Sequence, residues 1–120
     1  MSGIVFFRTA DRERVVEFYR DRLGFEVWLE QDAGCTILRH GDDLKLGFCA
    51  ADSEADFDTD GIVTLYYDTR EAVDERYDEL ADVAVDEPRE NDAYDIYQFF
   101  GEDPEGRTLE VQTFLHDLPE

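Results

Sequence analysis

An internal repeat is the feature that most constrains how this chain can fold. When the sequence is aligned with itself at an offset of 58 residues, the segment that begins at Gly3 falls on the segment that begins at Gly61. The residues that are identical in the two copies include Gly3, Ile4, Val5, Arg12, Glu13, Val15, Glu17 and Tyr19, which recur as Gly61, Ile62, Val63, Arg70, Glu71, Val73, Glu75 and Tyr77. Self-similarity at a fixed spacing is stronger evidence for the fold than the secondary-structure propensity of any single segment. The sequence therefore predicts two copies of one supersecondary unit.

The first copy predicts a strand, a helix and three more strands. The first strand spans 4–8, and the helix begins at a candidate N-cap, Asp11, and ends at Gly24, which can adopt a left-handed backbone. Four apolar side chains share one face of this helix: Val15, Phe18, Tyr19 and Leu23. The other strands are predicted at 25–29, 35–40 and 44–49, and the turn between the last two is Gly41-Asp42-Asp43.

The second copy repeats this order after an exposed linker at 51–60. It predicts a strand at 62–68 and a helix that is capped by Thr69. The apolar face of that helix is formed by Val73, Tyr77, Leu80 and Ala81. Its remaining strands are predicted at 83–86, 95–100 and 108–114, with Asp103-Pro104-Glu105-Gly106 as the last turn. The predicted fold class is therefore α+β, with two tandem βαβββ modules.

The charge of the chain is strongly acidic. It carries 32 Asp and Glu against 11 Lys and Arg, which gives a formal net charge of −21, and Lys45 is its single lysine. Repulsion of this size is screened in molar salt, where the Debye length is about 3 Å. We therefore expect a cytoplasmic protein of haloarchaeal type, from an organism that keeps concentrated salt in its cells. There is no basic stripe for nucleic-acid phosphates or anionic lipid, so nucleic acid and membrane are not expected as partners.

Targeting segments and cysteine usage agree with a cytoplasmic location. The first residues contain an apolar run of only four, so we expect no signal peptide. No segment approaches the roughly 20 apolar residues of a spanning helix. The two cysteines, Cys35 and Cys49, lack the spacing of a metal motif, and we expect them to be buried free thiols in a reducing cytoplasm.

Motifs in both halves resemble one known superfamily. These are Asp11, Phe18-Tyr19 and Leu23-Gly24-Phe25 in the first half, and Asp103-Pro104-Glu105-Gly106 and Leu109-Glu110 in the second. They resemble the vicinal oxygen chelate superfamily, which covers glyoxalase I, bleomycin-resistance proteins, fosfomycin-resistance enzymes and ring-cleaving dioxygenases. The resemblance implies a single domain over 1–120 with modules at about 3–50 and 61–115. It also implies a curved mixed sheet around a cavity, helices on the outer face, and a homodimer.

The same resemblance bears on a metal site. Metal-dependent relatives place four ligands on four strands, and the matching positions here are Ile4, Lys45, Ile62 and Glu110. Only Glu110 among them can bind a divalent metal, whereas a catalytic site needs about three protein ligands. His40 lies at a hairpin turn and His116 beyond the last strand. We therefore expect no metal and no other cofactor.

The residues that we expect to bind a ligand follow from strand alternation and from the resemblance. Lys45 and Glu110 are predicted to face one cavity and to pair there as its polar anchors. Arg8, Tyr66 and Gln112 are predicted to point into the same cavity. The function that we predict is binding of a small molecule without a metal. Two alternatives stay open: a lyase, isomerase or dioxygenase-type enzyme with or without a divalent metal, and a domain retained mainly for assembly.

Overall fold

The computed structural model describes residues 2–52 and 57–119, and the chain forms two compact units, Met1–Thr59 and Asp60–Glu120. The first unit consists of β1 (Val5–Thr9), α1 (Arg12–Leu23), β2 (Glu26–Gln31), β3 (Cys35–His40) and β4 (Leu44–Ala50). The second consists of β5 (Ile62–Tyr67), α2 (Arg70–Leu80), β6 (Arg89–Asn91), β7 (Ile96–Glu102) and β8 (Thr108–Phe114). Both units are βαβββ modules, which confirms the predicted α+β class and the repeat.

The two sheets have the same topology. Their strand orders are β1-β4-β3-β2 and β5-β8-β7-β6. In each sheet the first strand is parallel to the last, and the other neighbours are antiparallel, so both sheets are mixed. The helix and the two middle strands of each unit together form the long connection between its parallel strands.

The helix ends lie where the sequence predicts them. The Asp11 carboxylate accepts a hydrogen bond from the backbone N–H of Arg14 at 3.2 Å, and the Thr69 hydroxyl accepts one from Ala72 at 3.1 Å. These side chains satisfy N–H groups that have no partner within the helix. Gly24 ends α1 in the left-handed region, with φ 78°.

Each helix covers one face of its own sheet. In the first unit the Tyr19 ring of α1 lies 4.9 Å from the Phe48 ring of β4. In the second unit the Tyr77 ring of α2 lies 5.3 Å from the Phe99 ring of β7. The predicted face of α1 is buried throughout, whereas in α2 Tyr77 is half-buried and Ala81 is an exposed C-cap. Side chains that alternate away from these contacts lie on the face opposite the helix.

The strand predicted at 83–86 is wrong. Within that segment Ala84 makes only an isolated bridge to Gly101, and the Asp86 carboxylate accepts the backbone N–H of Phe100 at 2.7 Å. Pro88 follows and has no N–H for a ladder. The edge strand β6 therefore begins only at Arg89.

The prediction of two free thiols is also wrong, because Cys35 and Cys49 form a disulfide. The two residues lie directly opposite each other in the β3–β4 pair, with Cα atoms 4.0 Å apart. The register that follows from the predicted turn places them there, since each lies seven residues from Asp42.

Two further expectations concern the linker and the membrane. Part of the linker predicted at 51–60 falls on residues 53–56, which lie outside the described residues. In the described part of the chain, no helix is long and apolar enough to cross a membrane.

Candidate functional site

A concave cavity lies on the face of the second sheet that α2 leaves uncovered. Its volume is about 530 Å³. The side chains that line it are Ile62, Asn91, Tyr94, Ile96, Gln98, Phe100, Glu110, Gln112, Phe114 and His116. We call it the Glu110 cavity. All of these residues belong to the second unit.

Strand register explains why these side chains converge. In the antiparallel pair of β7 and β8, Gln98 lies opposite Gln112 and Phe100 lies opposite Glu110. In the parallel pair of β5 and β8, Thr64 lies beside Glu110. Since successive side chains of a strand point to opposite faces, these residues share the face that is turned away from Phe99 and α2.

Glu110 is held by two polar neighbours. The Thr64 hydroxyl donates a hydrogen bond of 2.8 Å to Oε1 of Glu110, and the Gln98 amide donates a short hydrogen bond to Oε2. The Asn91 amide in turn donates to the carbonyl oxygen of Gln98 at 2.8 Å. Hydrogen bonds to a carboxylate are stronger than those between neutral groups. The network therefore fixes both the position of Glu110 and the orientation of Gln98.

Gln112 differs from these neighbours. Its side chain is only 6% exposed. Nevertheless, it makes no side-chain hydrogen bond to any residue that the structure describes. It lies on the cavity surface, so its amide group is available to a bound molecule.

The remaining walls are largely apolar. The Phe114 ring contacts Tyr66 at 5.4 Å and His116 at 5.6 Å between ring centres. Ile96, the direct β7 neighbour of Phe114, and Phe100 also line the cavity. An apolar surface with a few fixed polar groups is the usual composition of a small-molecule site.

The donor atoms in the cavity do not fit the metal that the resemblance implies. Glu110 and His116 both line it, but nowhere in residues 2–52 and 57–119 do three His, Cys, Asp or Glu side chains cluster as metal ligands would. At the four positions named above, Glu110 is the only residue with a suitable donor atom.

Lys45 lies in the first unit, on the face of its sheet opposite α1. Its ammonium group lies 5.1 Å from the centre of the Trp28 ring, a cation–π geometry. Phe6 of β1 and Thr64 of β5 occupy equivalent positions in the repeat. Phe6 lies beside Gly47 in the first sheet, and Thr64 lies beside Glu110 in the second. Gly47 is thus the strand position equivalent to Glu110, and Lys45 lies two residues before it on the same face.

Arg8 also lies in the first unit, where it pairs with the end of the linker. Its guanidinium lies 3.1 Å from the Asp58 carboxylate, and its backbone N–H donates to the same side chain at 2.9 Å. Both side chains are substantially exposed to solvent. An exposed ion pair of this kind contributes little stability.

The structure brings some of the predicted binding residues together and leaves others apart. Glu110 and Gln112 line the cavity, whereas Tyr66, which is 59% exposed, is not a lining residue but contacts Phe114 and lies beside Gln112 in the sheet. Lys45 and Arg8 belong to the other unit. Whether Lys45 pairs with Glu110 stays a prediction.

Several residues of the cavity were missed by the sequence analysis. They are Asn91, Tyr94, Ile96, Gln98, Phe114 and His116, together with Thr64, which donates to Glu110 from beside the cavity. Alternation along the strand predicted at 95–100 could have found Gln98, since it separates the helix-facing Tyr97 and Phe99. Nothing in the pattern indicates that His116 folds back onto the cavity.

Comparison with known proteins agrees with this architecture. Residues 3–111 match the Glyoxalase/Bleomycin resistance protein/Dioxygenase superfamily, and the chain belongs to that family. No curated protein sequence matches the chain.

Crystal structures of three other proteins share the fold. A lactoylglutathione lyase from Agrobacterium tumefaciens is 20% identical, with 94% of this chain and 92% of that chain covered at a TM-score of 0.73. A glyoxalase/bleomycin resistance protein/dioxygenase family enzyme from Burkholderia phytofirmans is 22% identical, with 93% and 97% covered at 0.76. An integron cassette protein from the mobile metagenome of a Halifax Harbour sewage outfall is 18% identical, with 95% and 98% covered at 0.81. At these identities the likeness concerns the fold.

Proposed function

We propose that this chain binds a small molecule in the Glu110 cavity without a metal. The observation that carries the proposal is a carboxylate, Glu110, held by Thr64 and Gln98 at the base of a largely apolar cavity. A rigid polar anchor among apolar walls orients a ligand, while burial of the ligand's apolar surface supplies most of the affinity.

The residues at the positions of metal ligands support binding without a metal. Ile4 and Ile62 have no lone pair to donate, and the ammonium of Lys45 repels a cation. A divalent metal would have Glu110 as its only ligand among these four positions.

Lys45 has a proposed role as the second polar anchor. We propose that its ammonium neutralises Glu110, as a metal does in relatives, either within one chain or between the two chains of a dimer. The pair would contribute little net stability, because desolvation of both ions offsets much of their attraction. Its effect would be to position a polar group of the ligand.

The test of the proposal is a titration followed by NMR. The ¹⁵N-labelled protein, in molar potassium chloride, is mixed with a set of neutral aromatic fragments. We expect the largest shifts of backbone amide signals in β7 and β8, because those strands form the base of the cavity. The variant Ile62→Trp should lose these shifts. Ile62 is a 57% exposed lining residue, and an indole ring at that position would fill the cavity.

The matched control is Val85→Trp, which adds the same ring at a 60% exposed site outside the cavity. Shifts that persist in Ile62→Trp, or an absence of shifts in β7 and β8, would contradict the proposed function. Titration with Zn²⁺, Ni²⁺ or Fe²⁺ is expected to give no stoichiometric binding at Glu110. Such binding would favour the metal-dependent enzyme.

We also propose that the chain is a homodimer. The family pattern supports this, and β1 lies at the edge of the first sheet, where a strand presents unpaired backbone groups. Light scattering in molar potassium chloride should give twice the 13.9 kDa mass of one chain. A mass near that of a single chain would count against the dimer.

A further inference from the structure

The side-chain amide of Gln112 is a polar group of the Glu110 cavity that has no hydrogen-bond partner among the described residues. The residue is 6% exposed, lines the cavity and makes no side-chain hydrogen bond within residues 2–52 and 57–119. A primary amide offers two N–H donors and a carbonyl acceptor. Its nitrogen and oxygen are not among the fully buried side-chain atoms that lack a partner in the described residues, so the amide is open to the cavity.

The neighbouring polar groups are already engaged with one another. Gln98, which lies directly opposite Gln112, donates to Glu110 and accepts from Asn91. Glu110 accepts from Thr64 and Gln98, one hydrogen bond on each oxygen. In the described residues no hydrogen bond joins any of these groups to Gln112, so that amide is open to a partner in the cavity.

The donors and the acceptor of the Gln112 amide indicate which ligand group can pair with it. A group that places an N–H donor beside a carbonyl acceptor satisfies both ends of Gln112 at once, as a second amide does. A carboxylate supplies no donor, and it would meet the negative charge of Glu110 in the same cavity. The aromatic rings of Phe100 and Phe114 favour an apolar body behind the polar edge.

From these observations we infer that the ligand carries an uncharged carboxamide-like edge (a primary amide, lactam or imide) on an apolar body, and that Gln112 recognises that edge. This inference rests on the proposed function and adds the chemical class of the ligand.

The experiment compares four small molecules of similar shape in high salt: benzamide, acetophenone, benzoate and benzamidine. Affinities are measured from the NMR shifts of β7 and β8. Benzamide should bind about tenfold more tightly than acetophenone or benzoate, because each lacks an N–H donor and leaves the Gln112 carbonyl oxygen unpaired. Benzamidine should also bind more weakly than benzamide, because it offers no carbonyl to the Gln112 N–H groups.

The variant Gln112→Met removes the amide and keeps the length of the side chain. It should reduce benzamide affinity about tenfold, to the level of acetophenone, while the Tm stays the same or rises. Gln31→Met, at an exposed glutamine of the first unit, is the matched control and should change neither quantity.

Four results would overturn the inference. Benzamidine binding more tightly than benzamide would show that Glu110 selects a cation. Equal affinities for benzamide and acetophenone would show that the cavity selects shape alone, and the proposed function would survive. A Tm that falls by several degrees in Gln112→Met would assign the amide a structural role. If none of the four molecules shifts β7 or β8, the proposed function fails together with the inference.

Discussion

At the scale of single residues, Lys45 is the side chain whose local environment is easiest to test. It is the only lysine, and it lies over Trp28, the only tryptophan, so intrinsic fluorescence reports on its position. Lys45→Met should shift the tryptophan emission and cost about 0.5–1 kcal/mol in the free energy of unfolding, which is typical of an exposed cation–π contact.

The same variant tests the proposed anchor role. Benzamide affinity should fall severalfold in Lys45→Met. This loss in binding free energy should exceed the loss in the free energy of unfolding. The control is Arg39→Met, which removes a cation from the residue directly across from Lys45 on β3. Equal effects on folding and binding would identify Lys45 as a purely structural residue.

Tyr97 provides a test of side-chain placement on the face of the second sheet that α2 covers. Its hydroxyl donates a hydrogen bond of 2.6 Å to Asp74, and this bond raises the pKa of Tyr97 to about 12 from 10.0. The folded chain therefore holds this proton more tightly than the unfolded chain. The resulting stability is present below pH 10 and is lost as the pH rises towards 12.

The variant that removes the effect is Asp74→Asn. It should return the pKa of Tyr97 towards 10.0, which a titration of tyrosinate absorbance against the parent chain measures. Asp78→Asn, an exposed change on the same helix, is the control and should leave the titration unaltered. An unchanged Tyr97 titration in Asp74→Asn would contradict the contact between α2 and β7.

At the scale of secondary-structure elements, local signals predicted most of the fold. The caps Asp11 and Thr69 and the turn at 41–43 satisfy backbone groups within a few residues, so their effect can be read from the sequence. The segment 83–86 was misassigned because its conformation depends on the hydrogen bond between the Asp86 carboxylate and the backbone N–H of Phe100. Only the assembled sheet provides that contact.

Less of the candidate site could be predicted, because its contacts also form only in the assembled sheet. Alternation predicts which face Glu110 and Gln112 share, but the partners of Glu110 depend on the register of three different strands. His116 lies beyond β8, where no periodicity applies, and only the folded chain brings it to the cavity.

The β3–β4 disulfide makes a testable contribution at this scale. It closes a loop with a sequence separation of 14 residues. Reduction should lower the free energy of unfolding by about 3 kcal/mol, chiefly because the unfolded chain regains freedom. The double variant C35S/C49S should show the same loss and no response to reductant. Two free thiols in the protein purified under oxidising conditions would contradict the disulfide.

At the scale of the whole molecule, the net charge of −21 dominates the expected solution behaviour. Many of the arginines already pair with carboxylates at the surface, as Arg20 does with Asp21 and Arg70 with Glu90, yet a large excess of acid remains. We expect folding to require molar salt, where screening acts within about 3 Å, whereas the Debye length is about 10 Å at 0.1 M. Circular dichroism across a potassium chloride series measures this. A full helical signal with cooperative melting in salt-free buffer would reject the adaptation to salt.

The central claim is that the Glu110 cavity binds a small organic molecule without a metal. A crystal structure of the protein purified and crystallised in high salt tests it most directly. We expect ordered organic density in the cavity within hydrogen-bonding distance of Gln112, with Lys45 directed towards Glu110. A transition metal bound by Glu110, or a cavity filled by the protein's own side chains, would contradict it.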